Sequence, residues 1–62
     1  MDKYCIINKN SGLFVVDDED YTFYKKTMKE ASKFTEKQAQ KRLVKMKHPE
    51  NWKIIKCEVE EW

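Results

Sequence analysis

Residues 35–47, TEKQAQKRLVKMK, are the one stretch of the chain that combines a helix start signal, an apolar stripe and a stop signal. Thr35 followed three positions later by Gln38 predicts a capping box, in which each side chain satisfies a free backbone N–H of the other residue. His48-Pro49 ends the helix, because the residue before proline leaves the α region and proline cannot continue the hydrogen-bond ladder. The rest of the fold is interpreted relative to this helix.

The two faces of the predicted helix differ in chemistry. Apolar residues recur at i, i+4 and i+7 and mark the face that packs on the core, namely Ala39, Leu43 and Met46. The opposite face carries a row of lysines, Lys37, Lys41 and Lys45. At 1.5 Å per residue this row spans about 12 Å and has the spacing to follow phosphates, but an ordinary solvated helix face explains it equally well.

Strand signals flank the helix on both sides. Residues 4–7 (YCII) and 13–16 (LFVV) are separated by a polar segment whose Gly12 supplies the positive φ of a hairpin turn. Residues 21–24 (YTFY) suit a third short strand, and residues 52–59 (WKIIKCEV) suit the last strand. The chain therefore predicts a single α+β domain over residues 1–62, with a mostly antiparallel sheet of three or four strands in the order β-β-(β)-α-β and the helix packed on one face.

Between the third strand and the helix, Thr27 and Glu30 have the spacing of a second capping box. We expect one or two helical turns there, folded back onto the core through Met28, Ala31 and Phe34.

The last strand alternates, so its residues divide between two faces of the sheet. Ile55, Cys57 and Val59 share one face, whereas Trp52, Ile54 and Trp62 lie on the other. If the tryptophans point away from the helix, they leave aromatic surface that suits a partner. If they curl around the sheet edge, they complete the core.

Length and charge restrict the function classes. The 62 residues carry a net charge of +2, which is segregated into +7 over residues 25–47, −3 over residues 1–24 and −2 over residues 48–62. One helix on one sheet leaves little room for a catalytic cleft. The acidic run 17–20 lacks the glycine and later glutamate of a calcium loop, and His48 has no evident nucleophile or carboxylate partner. We therefore expect no enzymatic activity, no cofactor and no metal.

The N-terminus leads directly into strand-like sequence without an apolar signal region, and no apolar run is long enough to span a bilayer. We therefore expect a cytoplasmic protein with no membrane association. Cys5 and Cys57 match neither zinc spacing nor a redox motif, so the sequence favours reduced core thiols over a cross-strand bridge.

Segments distributed over nearly the whole chain carry a resemblance: YCIIN at residues 4–8, GLF at 12–14, ASKFT at 31–35 with Ala39 and Leu43, and WKIIKC at 52–57. Together they resemble the short proteins encoded by bacteriophages and prophages of low-GC Gram-positive bacteria. Members of that class with an assigned role are often inhibitors of host defence, such as anti-CRISPR, anti-Hachiman or anti-Thoeris factors.

The resemblance implies an interaction protein that occludes a bacterial defence protein in the host cytoplasm. The alternative is a small nucleic-acid-binding or transcription-modulating protein that uses the basic helix. A chain this short gains from self-association, so we also expect a homodimer through the sheet, either edge to edge or across the face of the tryptophans. The candidate interaction residues are Trp52, Ile54, Trp62, Lys37, Lys41 and Lys45.

Overall fold

The structure, a computed structural model, describes residues 3–17 and 20–57. Its elements in chain order are β1 (Tyr4–Asn8), β2 (Phe14–Asp17), β3 (Thr22–Lys25), a first 3₁₀ turn (Met28–Glu30), α1 (Glu36–Val44), a second 3₁₀ turn (Pro49–Asn51) and β4 (Trp52–Lys56). The strands form one antiparallel sheet in the order β3-β2-β1-β4, and α1 packs on it. The predicted α+β fold is confirmed, including the short third strand.

The β1–β2 hairpin turns where the sequence predicts it. Gly12 has a φ of 75°, a value that costs glycine little because it has no Cβ. Asn8 stabilises the turn, since its side-chain Oδ1 accepts hydrogen bonds from the backbone N–H groups of Asn10 (2.8 Å) and Ser11 (2.9 Å).

The capping box of α1 is confirmed. The Thr35 hydroxyl accepts from the Gln38 backbone N–H, and the Gln38 side chain accepts from the Thr35 N–H, each at 3.2 Å. The helix ends at Val44, three residues before the predicted end at Lys47. The chain tightens before it reaches Pro49, because the backbone N–H groups of residues 45 and 46 donate to carbonyls three residues back instead of four.

The second capping box is wrong. The Thr27 hydroxyl donates to the Glu30 carboxylate at 3.1 Å and makes no cap bond to the backbone, and the segment forms a single 3₁₀ turn.

A strip of chain between this turn and α1 lies between β1 and β2. Ser32 donates its backbone N–H to Val15 O of β2 (3.1 Å), and its hydroxyl accepts from the Asp17 N–H (2.8 Å). Phe34 pairs with Tyr4 of β1 through two backbone bonds of 2.7 and 2.8 Å. The two strands therefore separate at this end, and the chain passes from one face of the sheet to the other.

Both faces of the sheet are apolar as a result, and each has its own cluster. The helix cluster lies under α1 and consists of Ile6, Val15 and Ala39 with Tyr4, Phe34, Leu43, Met46, Trp52 and Ile54 around them. The disulfide cluster lies on the opposite face and consists of Cys5, Phe14, Ala31 and Cys57 with Ile7, Met28 and Ile55 around them. The first 3₁₀ turn and Ala31 pack on this opposite face and cover it in part.

Cys5 and Cys57 form a disulfide with a Cα–Cα distance of 6.0 Å, so the prediction of free thiols is wrong. The register explains the pairing. Cys5 lies opposite Ile55 in the β1–β4 ladder, and the Cys57 backbone N–H donates to Lys3 O at 2.8 Å. The two side chains therefore meet diagonally on one face.

The alternation of the last strand is confirmed over its described residues. It places Trp52 on the helix side of the sheet, so this tryptophan does not point away from the helix. Trp52 and Ile54 pack in the helix cluster, whereas Ile55 and Cys57 belong to the disulfide cluster. The face of Trp52 and Ile54 is therefore the one on which α1 packs, and α1 covers part of it. Trp62 and Val59 lie outside the described residues. Within the described part of the chain, no helix has the length and apolar character needed to cross a membrane.

Candidate functional site

A groove of about 510 Å³ opens on the helix side of the sheet, beside the carboxyl end of α1. We call it the aromatic groove. Its lining comes from the ends of several elements: Asn8, Thr22, Tyr24, Arg42, Lys45, Met46, Lys47, His48, Asn51 and Trp52. The groove exists because α1 has nine residues and is about 13 Å long, so it covers only part of the sheet.

Tyr24 and Trp52 form the aromatic wall of this groove. They belong to β3 and β4, the two edges of the sheet, which are about 14 Å apart at the usual strand spacing. The two side chains reach toward each other over the sheet and stack, with ring centroids 5.5 Å apart and an interplanar angle of 27°. Tyr24 is still 48% exposed. The wall is therefore held in place and accessible at the same time.

Arg42 joins α1 to the sheet through an ion pair with Asp17. Its Nε donates to Asp17 Oδ2 at 2.7 Å, and a terminal nitrogen donates to Asp17 Oδ1 at 3.0 Å. The Thr22 hydroxyl donates to Asp17 Oδ1 (2.9 Å) and accepts from Arg42 (3.1 Å). This two-pronged geometry fixes the end of α1 over the junction of β2 and β3.

The same contacts shift both acid–base equilibria. Hydrogen bonds from Arg42 lower the pKa of the Asp17 carboxyl, with partial burial opposing the shift and the Thr22 hydroxyl adding to it. The hydrogen bond to Asp17 raises the pKa of Arg42. Both groups therefore stay charged, and the Arg42 charge is neutralised within the protein.

Two ammonium groups in the groove are not neutralised in this way. Lys45 and Lys47 are exposed, and among the residues that the structure describes neither has a carboxylate within ion-pair distance. His48 Nδ1 lies 3.7 Å from Glu50 Oε2 at the surface, which makes an ion pair when the imidazole is protonated. Among the described residues that line the groove, none carries a carboxylate. The groove therefore presents positive charge beside an aromatic wall.

A second, shallower depression of about 450 Å³ lies along the other flank of α1. It is lined by Lys33, Phe34, Gln38, Lys41, Arg42 and Lys45. Lys33 has a structural role here, because its Nζ donates to the backbone carbonyls of Met28, Lys29 and Ala31 and so closes the first 3₁₀ turn. Burial lowers the pKa of Lys33.

The structure separates the candidate residues that the sequence groups together. Trp52 and Lys45 meet in the aromatic groove, and Lys41 joins Lys45 in the shallow depression. Lys37 is exposed on α1 and lines neither. Ile54 is half-buried in the helix cluster. The lysine row is therefore a solvent-exposed face with the aromatic groove at one end.

Sequence reasoning missed three main contributors to the groove, Tyr24, Arg42 and Lys47. The sequence places Arg42 within the predicted helix and its partner Asp17 in the acidic run 17–20. One signal was available: Thr22 and Tyr24 are two positions apart in a predicted strand, so their side chains lie on the same face of the sheet. Nothing in the sequence indicates that the two edge strands bring their aromatics together over the sheet.

The described residues contain no cluster of three or more histidine, cysteine or carboxylate side chains able to hold a metal ion. No protein-family model, no curated protein and no solved structure matches the chain.

Proposed function

We propose that this chain is a non-enzymatic, phage-encoded protein that binds a bacterial host defence protein and inhibits it by covering part of its surface. The aromatic groove is the contact site. The observation that carries this proposal is the meeting of Trp52, Tyr24 and Arg42 around one concave surface. Tryptophan, tyrosine and arginine are the residue types that dominate the binding energy of protein interfaces.

Rigidity supports the same assignment. Tyr24 and Trp52 stack on one another, and Arg42 is fixed by Asp17 and Thr22. Side chains that are already ordered lose less conformational entropy when a partner binds. A small rigid surface can therefore bind with useful affinity although the whole domain is only 62 residues long.

To test this proposal, the chain is expressed in bacterial strains that each carry one defence system. The first three systems to test are CRISPR, Hachiman and Thoeris. The efficiency of plaquing is measured for a phage that each system restricts. We expect the chain to restore plaquing by at least about tenfold against its target system and to leave the other strains unchanged. Unchanged restriction in every strain, with the protein present in the lysate, would contradict the proposal.

A second candidate function, nucleic-acid binding, is favoured by one observation: Lys37, Lys41 and Lys45 are all exposed on one helix. Binding through phosphates weakens steeply with ionic strength, because each contact releases counterions. We therefore propose titrating a fluorescent single-stranded and a double-stranded oligonucleotide at low and physiological salt, with Lys37→Glu and Lys41→Glu as variants. No binding at low salt, or binding that survives both the salt and the charge reversal, excludes nucleic-acid binding through this lysine row.

The proposal includes the host cytoplasm as the place of action and a homodimer as the assembly. The proposed route is an edge-to-edge dimer, since β3 and β4 each have a single neighbouring strand among the described residues. Sedimentation at high micromolar concentration tests the assembly, and a single monomeric species there rejects it.

A further inference from the structure

We infer that the host protein inserts an acidic peptide segment into the aromatic groove, with an aromatic or large apolar side chain flanked by carboxylates. This inference rests on the proposed function, because it names the chemistry of the partner at the same site. It starts from the charges of the groove. Lys45 and Lys47 face solvent, and in the described part of the chain neither has a carboxylate partner and no lining residue carries a negative charge. Carboxylates on the partner complete these two pairs.

The excess of positive charge is larger than the helix itself requires. A helix carboxyl end carries about half of one negative charge, and one cation in its last turn is enough to complement it. Lys41 lies in the last turn of α1 beside the paired Arg42, and Lys45 and Lys47 follow. The additional cations are therefore available to a ligand.

The opposite wall selects the apolar part of the ligand. Tyr24 and Trp52 offer aromatic surface, and Met46 offers a flexible thioether that adapts to the shape of an inserted side chain. A groove of about 510 Å³ has room for a few side chains of a ligand but not for a folded domain. The occupant is therefore a short segment with one central apolar or aromatic side chain.

The position of the groove favours a peptide over a nucleotide. Phosphate sites are typically built at helix amino ends, where free backbone N–H groups point at the anion. The aromatic groove instead lies at the carboxyl end of α1, where the dipole is negative and a helix leaves carbonyls without α-helical partners; of these, Arg42 O and Leu43 O accept from residues 45 and 46. A peptide satisfies both requirements, because its carboxylates reach the lysines and its backbone N–H groups can donate to carbonyls. A phosphate group has no such donors.

The test titrates the ¹⁵N-labelled full chain with a capped peptide of sequence EEFEE and follows the Trp52 indole and the backbone signals of residues 45–48 by NMR. The neutral peptide QQFQQ and the nucleotide AMP are the comparison ligands. The variant Lys45→Glu with Lys47→Glu removes the positive groove. The matched control, Lys29→Glu with Lys53→Glu, makes the same change in net charge at two exposed lysines that do not line the groove.

We expect EEFEE to shift the Trp52 and residue 45–48 signals together, and to bind at least about tenfold more tightly than QQFQQ and AMP, which corresponds to about 1.4 kcal/mol. The groove variant should lose this preference, and the control variant should keep it. Equal binding of EEFEE and QQFQQ, tighter binding of AMP, or an equal loss in both variants would overturn the inference.

The two proposals fail separately. If EEFEE does not bind but the chain restores plaquing, the acidic segment is wrong and the inhibitor function stands. If plaquing is not restored against any system, the inhibitor function itself is rejected, whatever the peptide does.

Discussion

The disulfide side and the helix side of this sheet are closed in different ways. On the disulfide side, a three-residue turn and a covalent bond cover a small cluster whose members include Cys5, Phe14 and Cys57. On the helix side, α1 covers part of a larger cluster and leaves the aromatic groove open beside its carboxyl end. The two sides share the strands, but no residue of the disulfide cluster lines the groove. Both sides therefore contribute to stability, whereas the proposed binding surface lies on the helix side alone.

Removing the disulfide should have the largest effect on stability. The bond joins residues 52 positions apart, and restricting an unfolded chain over such a loop is worth about 4 kcal/mol in the chain-entropy model. We expect Cys5→Ser with Cys57→Ser, or reduction of the wild type, to lower the free energy of unfolding by about that amount. Urea denaturation with and without reductant measures it.

Reduction also tests the separation of the two sides. Thiol reductants act on disulfides in the cytoplasm. Because the groove contains no residue of the disulfide cluster, any fraction of the reduced chain that stays folded should keep the Tyr24–Trp52 stack. Near-ultraviolet circular dichroism follows the stacked rings. Loss of this signal in reduced chain that is still folded would show that the two sides are coupled.

Truncation of the helix stripe should have the next largest effect. Leu43 is half-buried in the helix cluster, so Leu43→Ala should cost about 2 kcal/mol, the low end of the range for leucine. The neighbouring Val44 is 74% exposed, and Val44→Ala should change stability by less than about 0.5 kcal/mol. Equal effects on the thermal midpoint at the two positions would mean that α1 is rotated relative to the sheet.

The Asp17–Arg42 pair gives a smaller and pH-dependent effect. Both side chains are about a quarter exposed, so Asp17→Asn should cost only about 1 kcal/mol after screening by solvent. The pKa of Asp17 is lowered in the folded state, so its contribution is fully present above the unfolded value of about 3.9. That contribution is lost as the pH falls below about 4 and through the folded pKa.

Measuring the free energy of unfolding as a function of pH checks the direction of this effect. The wild type should lose more stability than Asp17→Asn as the pH falls from about 5 to about 2. Parallel curves would show that the pair contributes nothing that depends on the Asp17 charge.

Most of the fold was accessible from the sequence because it depends on local signals. The capping box at Thr35, the glycine turn and the alternation of the last strand each involve residues a few positions apart. The entry of Ser32 and Phe34 between β1 and β2 was not accessible. It depends on a serine hydroxyl that satisfies the Asp17 N–H, and this contact joins residues 15 positions apart.

The groove and the disulfide were missed for a related reason. The sequence gives no distance between Tyr24 and Trp52, which meet only because β3 and β4 are the two edges of one sheet. The cysteines were assigned from the expected compartment, whereas their pairing follows from the register of β1 and β4. Trp52 and Lys45 were identified from residue type alone, and the structure adds the partners that make them one surface.

The most direct test of the aromatic groove compares two tyrosines that are three residues apart in the chain, Tyr21 and Tyr24. Tyr24 is in the groove and 48% exposed, whereas Tyr21 is 63% exposed, stands near Phe23 and does not line the groove. Plaquing in the responsive strain and the thermal midpoint are measured for Tyr24→Ala and Tyr21→Ala. We predict that Tyr24→Ala lowers plaquing at least about tenfold, the effect of losing about 1.4 kcal/mol of binding, while both variants stay folded. An equal effect of the two substitutions, or full activity of Tyr24→Ala, would contradict the assignment of the groove as the binding site.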